Sequence, residues 1–299
     1  MWTKPYGMKE GFLIGGGLIV AGLMLELSVG PVDWDAFRWP VNGIVLAVFL
    51  ALIAIIFLLR KTVYGFQFIG TNKAAIPALV YAVALTIVMG LTRQKSLTPG
   101  PSPMGEGSLW INYMLNFWPF VLIYVYIAVI LGQVVLRQVS SFRFQVSILS
   151  HLGLFLAMTT ATLGNADVQR LKMITVKGEP EWRALTQEQQ VVEMPLAIEL
   201  KQFIMETYDD GSPKRFASDI QILTQTGKNI VATVEVNKPV EVDGWKIYQY
   251  GYDTQMGAMS QTSILELVSD PWLPLVYTGI YMMLGGAVCM FLKGKKVKQ

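Results

Sequence analysis

Apolar residues gather into six runs of about twenty along this chain, and between the fifth and sixth runs the pattern changes to alternation. The runs cover about 11–29, 41–59, 74–91, 117–136, 144–163 and 271–292. Each is about as long as an α-helix must be to cross a ~30 Å hydrocarbon core, so each predicts a membrane-spanning helix. Between 164 and 270 the period drops to two. PLAIEL (195–200) and SDIQIL (218–223) alternate as half-buried strands do, and NIVATVEV (229–236) places Ile230, Ala232, Val234 and Val236 on one face. In VEVDGWKIYQYGYD (240–253), Asp243-Gly244 between two β-prone runs is a hairpin signal. The expected fold is a polytopic α-helical membrane protein of about six transmembrane helices with one inserted extracytoplasmic, mainly-β domain. The bundle occupies 1–163, the β-rich domain 164–270, and a final transmembrane helix with a basic tail 271–299.

Within the runs, single residues refine this picture. Gly11, Gly15 and Ala21, with Gly16 and Gly17 between them, offer a face on which another helix can approach closely. The first run is too long for a signal-peptide core and is expected to be retained. Glu26, near its outer end, reads as an acid reaching the membrane interface, with a proton relay as the sharper alternative. Trp34 and Trp39 read as interfacial anchors, and Phe117, Trp118 and Phe120 as an aromatic belt. Pro77 is placed in the first turn of the third span, where proline is tolerated. Residues 92–110, rich in Pro, Gly and Ser, read as a mobile loop.

Composition agrees with the pattern. The 299 residues are 53% hydrophobic and 15% charged, against roughly 25% charged in an average soluble domain. Residues 165–270 hold 16 acidic and 10 basic side chains, a net −6, while the remainder carries +9. An acidic domain is thus set into a basic frame. Lys4 and Lys9, then Arg60, Lys61 and Lys73, then Arg137 and Arg143, then Lys293, Lys295, Lys296 and Lys298 all fall on one side of six spans. By the positive-inside bias both termini are cytoplasmic and 164–270 lies outside. No basic patch with interleaved aromatics points to nucleic acid; membrane lipid is the expected surrounding. The single cysteine, Cys289, reads as a small packing residue, and no C-x-x-C is present for thiol exchange or covalent haem attachment.

The candidate chemistry rests on His151, the one histidine, which lies within the fifth run. A histidine at membrane depth is costly without a partner and is a functional-site hypothesis by default. The residues alone leave open a structural hydrogen-bonded histidine, a quinone contact, a proton relay, or a ligand for haem iron. One histidine makes a bis-histidine haem site only with a second chain. The β-rich segment has no histidine or cysteine. Its acids read as a solvated surface, and Trp245, Tyr248, Tyr250 and Tyr252 as core and strand-edge residues.

HLGLFLAMTTATLG (151–164), SDIQIL (218–223) and VNKPVEVDGWKIYQYGYD (236–253), followed by a final span, resemble the ResB (CcsB) family of System II cytochrome c biogenesis. The resemblance covers about 144–292, and its most specific part is Asn-x-Pro followed by Gly-x-x-x-Tyr-Gln; the N-terminal stretch looks like the Bacteroidetes branch. It implies a subunit that acts with a CcsA-type membrane protein to carry haem across the bacterial inner membrane and attach it to apocytochrome c. It also implies that His151 is one axial ligand to the iron of a haem b shared with that partner. The common form of the family has three spans before its external domain, whereas five are expected here. The tryptophan-rich segment of the partner is absent, which implies a subunit of a haem lyase that is not self-sufficient. A reading from a different class is a haem- or quinone-binding anchor of a respiratory complex, and a third is a cofactor-free assembly partner.

Overall fold

Six helices are long and apolar enough to cross a membrane in the computed structural model, which describes residues 4–95, 109–141 and 147–293. They are α1 (Met8–Val29), α2 (Val41–Leu59), α4 (Asn72–Leu91), α5 (Trp118–Ser140), α6 (Ser147–Gly164) and α7 (Leu273–Lys293), with a short α3 (Tyr64–Ile69) between the second and third. The expected start of the fifth span at 144–146, Arg143, the body of the Pro/Gly-rich loop at 96–108 and the tail beyond Lys293 lie outside the described residues. The chain divides into two compact units, Met1–Ala166 with Trp272–Gln299, and Asp167–Pro271.

In the helical unit, glycine decides where helices meet. The contact stripe of α1 is Gly11, Gly15, Gly22 and Glu26, all buried. A Cβ on Gly11 would sit 2.7 Å from Cγ of Pro77, and one on Gly22 would sit 2.6 Å from the backbone of Pro119. Gly22, not Ala21, therefore completes the face. Spacings of four, seven and four keep one side of a 3.6-residue helix, whereas Ala21 turns outward and is exposed. Pro77 also departs from expectation, because α4 begins at Asn72 and the proline stands inside the helix. Its missing N–H leaves the Lys73 carbonyl without a helical donor, and the Gly11 backbone lies directly against that oxygen.

Glu26 is a third correction. Its side chain is buried, and Oε2 accepts a 3.1 Å hydrogen bond from the Trp118 backbone N–H. That N–H opens α5 and has no acceptor within its own helix, so the carboxylate of one helix caps another. The indole of Trp118 donates to the Gly30 carbonyl at 2.9 Å and that of Trp34 to Leu115 at 3.0 Å. Cys289, expected to pack, is exposed on α7.

The β unit is one sheet of eight antiparallel strands ordered β5-β4-β3-β2-β1-β8-β7-β6. The strands are β1 (Gln169–Val176), β2 (Pro180–Leu185), β3 (Val191–Thr207), β4 (Pro213–Thr224), β5 (Asn229–Glu235), β6 (Val240–Val242), β7 (Trp245–Tyr252) and β8 (Thr262–Ser269). The sheet curls until β5 comes up against β6 and β7, and Lys228 bridges to Asp243 at 3.0 Å across that meeting. Leu171, Met173, Ile198, Leu200, Ile220 and Leu265 are among the side chains that fill the inside. Asp243 and Gly244 take φ of 47° and 84°, the left-handed pair that a two-residue hairpin of type I′ requires. Ile230, Ala232 and Val234 turn inward on β5, but Val236 lies past the strand end and is exposed.

Candidate functional site

The site is built on the facing sides of α5 and α6. Gly132 on α5 leaves room for Ile53 of α2 and for the Phe155 ring, which stacks on Phe49 with centroids 6.4 Å apart. Tyr124 donates to the Met158 carbonyl at 3.0 Å, and its hydroxyl lies 2.9 Å from Thr162 Oγ1. Asn42 on α2 donates to the Leu163 carbonyl at 3.1 Å. Buried Gln133 donates to the Ile53 carbonyl at 2.8 Å. Polar bonds of this kind replace the water that such groups lack in a bilayer.

The other face of α6 is pressed against α7. A Cβ on Gly153 would lie 2.5 Å from the Gly279 carbonyl oxygen, and one on Gly279 would lie 2.6 Å from that of Gly153. A Cβ on Gly286 would overlap Ser150 Oγ. Small residues let the two backbones approach this closely, as in other membrane helix pairs. Between them, the two contacts fix the rotation of α6 about its axis.

That rotation places His151 half-buried, with its ring turned back along its own helix. Nδ1 lies 2.8 Å from the Ser147 carbonyl oxygen, one turn earlier, and 3.2 Å from the side-chain amide of Gln138 on α5. A carbonyl oxygen only accepts, so the short contact requires the proton on Nδ1. The lone pair is then on Nε2, the nitrogen that a neutral imidazole offers to a metal when its other N–H is held by a carbonyl. The ring therefore fits an axial role in its donor chemistry. It supplies one ligand, and among the described residues no group of three or more His, Cys, Asp or Glu side chains is arranged to hold a metal ion.

The β unit holds a polar cluster that the strand pattern does not reveal. Ser218 Oγ lies 2.6 Å from Gln249 Oε1 and 2.8 Å from Ser263 Oγ, while Ser263 Oγ lies 3.0 Å from the same amide oxygen. Gln249 Nε2 donates to the Gly251 carbonyl at 2.8 Å, and Thr175 to that of Ser263 at 2.9 Å. Beside it Phe203, Phe216 and Tyr252 stack, with centroids 4.8 Å apart for the first and third. Trp245 packs on the core, and Tyr250 is exposed beneath the Lys172 ammonium, 3.9 Å from the ring centre.

Residues 141–264 match the model of the ResB-like family. The chain is ResB-like over this segment. The segment holds His151, the Gly153 contact and the Ser218–Gln249–Ser263 cluster. A curated relative, the cytochrome c biogenesis protein CcsB of Prochlorococcus marinus subsp. pastoris, is 29% identical over 119 residues, 40% of this chain. The match spans 27% of that relative's length. Among solved structures, a cytochrome c heme lyase CcmF aligns over 83% of this chain and 45% of its own, with 14% identity and a TM-score of 0.32, too low a score to equate the folds.

Proposed function

We propose that this ResB-like chain is a subunit of a System II cytochrome c biogenesis apparatus that holds haem for delivery to apocytochrome c. The observation that carries the reading is the commitment of His151 Nδ1 to the Ser147 carbonyl, which leaves Nε2 as an open donor within the ResB-like segment. The similarity to a cytochrome c biogenesis protein, CcsB, supports a role in that pathway. In this proposal His151 Nε2 would hold the iron of a haem b, and a CcsA-type partner would supply the second ligand. Haem, when bound, supplies the iron for that bond and the macrocycle to be attached to C-x-x-C-H thiols of the apocytochrome. This chain's own part is to bind and orient. The Ser147 carbonyl fixes the ring, and the packing of α6 between α5 and α7 fixes its bearing.

The basic residues Arg60, Lys61 and Lys73 at the α2–α4 connection, and Arg137 in the last turn of α5, which donates to the Gly70 and Gln67 carbonyls of that connection, support an orientation with both termini on the cytoplasmic side of a bacterial inner membrane. The β unit would then lie in the periplasm, where it supports the partner or presents the apocytochrome. The test is the reduced-minus-oxidised visible spectrum of the purified protein, alone and co-expressed with a CcsA-type partner, for wild type and His151→Ala. The expected result is a b-type signal that strengthens with the partner and is lost in the variant. Full haem in His151→Ala, or none in any preparation, overturns the ligand assignment. A reversible redox centre of full occupancy without the partner would favour a respiratory anchor instead.

A further inference from the structure

Gln138 makes a contact that the orientation of its amide does not explain. Its Nε2 lies 3.2 Å from His151 Nδ1 and 3.2 Å from Ser147 Oγ, while its buried Oε1 has no hydrogen-bond partner among the described residues. The 2.8 Å contact to the Ser147 carbonyl already demands a proton on Nδ1, so an NH2 group there would set donor against donor. The two ends of an amide have nearly the same shape and are assigned from their hydrogen bonds. Turning this one by 180° gives Oε1 two donors, Nδ1–H and the Ser147 hydroxyl, in place of none.

We propose that Gln138 is a positioning residue for His151: its amide oxygen and the Ser147 carbonyl share the Nδ1 proton and hold the ring in the tautomer that keeps Nε2 bare. The contact joins the end of α5 to the described start of α6, so it also sets the bearing of the ring between those helices. Its bearing on haem rests on the function proposed above; the tautomer itself does not. Gln138 acts on a bound metal only through His151.

Because the chain has one histidine, ¹⁵N-histidine labelling of the full-length protein in lipid nanodiscs gives a single imidazole, and its nitrogen–proton correlations report which nitrogen carries the proton. The wild-type ring is expected to be protonated on Nδ1. Gln138→Leu should lower the ratio of Nδ1–H to Nε2–H by about two- to tenfold, the span of one net hydrogen bond. Gln138→Glu, whose carboxylate can only accept, should leave the ring protonated on Nδ1 alone or on both nitrogens, and a ring protonated on Nε2 alone in that variant also overturns the proposal. An Nε2–H ring in the wild type, a ratio that rises in Gln138→Leu, or a ratio unchanged by it overturns the proposal. Helical circular dichroism and size-exclusion profiles check that each variant folds. The haem spectrum of the same samples is a separate readout. Haem that survives His151→Ala while the tautomer follows Gln138 would sink the ligand reading and leave the positioning role standing.

Discussion

The carboxylate of Glu26 on α1 holds the first backbone N–H of α5, at Trp118, across 92 residues of sequence. Ser, Thr, Asp and Asn cap helices from within their own chain segment; here the cap arrives from a neighbouring helix and satisfies an N–H that α5 itself cannot. Glu26→Ala is expected to cost about 1–2 kcal/mol of stability, within the range for lost caps. Glu26→Gln, which keeps an acceptor oxygen, should cost less. Thermal unfolding in detergent measures both, and an Ala variant as stable as wild type would dispose of the capping role.

At the α6–α7 contact the space test is sharper. Gly279→Val places a side chain where the Gly153 carbonyl oxygen and the Ala157 backbone nitrogen already lie 2.6 and 2.7 Å from the point an added Cβ would occupy. Overpacking of this kind costs typically 1–3 kcal/mol. Gly17→Val, with nothing within 4 Å of its added carbon, is the matched control and should leave the melting temperature nearly unchanged. Equal effects at the two positions would mean that helix propensity, not the close approach, governs the result.

Gln249 lies in the Tyr-Gln end of the motif most specific to the resemblance, and its amide oxygen faces two buried hydroxyls. Gln249→Leu leaves the two hydroxyls only each other and one of their protons without an acceptor, and is expected to cost about 1–3 kcal/mol. Adding Ser218→Ala and Ser263→Ala should recover part of the loss, because the hydroxyls that lost their acceptor are then gone as well, while the Gly251 carbonyl still lacks its donor. Amide hydrogen exchange along β4, β7 and β8 in the full-length protein reads the change. A triple variant no better protected than the single one would contradict the network.

Acid stability has an assignable local part. Glu235 is held below its ordinary value of 4.5 by hydrogen bonds from Arg215 first and Lys238 second, at 2.7 and 3.2 Å. A lowered carboxylate stabilises the fold fully above its unfolded value and loses that contribution as pH falls through the lowered folded one. Protection of β4 and β5 amides should therefore drop below about pH 4.5, and in Glu235→Gln this part of the drop should be absent. The pair is partly exposed, so the effect is expected to be small and to shrink further in high salt.

The six helices were legible because a bilayer demands long apolar runs, and no compensating contact can shorten that demand. The β5 face and the Asp243-Gly244 turn were legible for a similar reason, since each is a local requirement. β1 and β8 were harder to read. Their inward faces carry Thr175 and Ser263 at the Gln249 cluster, while Ile174 and Ile264 point outward, which blurs the alternation. His151 stood out through its rarity. Gln138 did not, because a contact between two helices 13 residues apart in sequence depends on helix rotation, and no periodicity records it. Glu26 was visible as an oddity, but its partner lies in another helix.

Curling of the β unit brings its two edge strands, β5 and β6, up against each other, with Lys228 and Asp243 clasped over the meeting. An open sheet can recruit an extended peptide by offering it a strand-width of unpaired backbone. Along β5 and β6 that route is obstructed by the sheet itself. A peptide arriving at this seam would therefore meet side chains such as the clasped Lys228 and Asp243 before it met strand backbone.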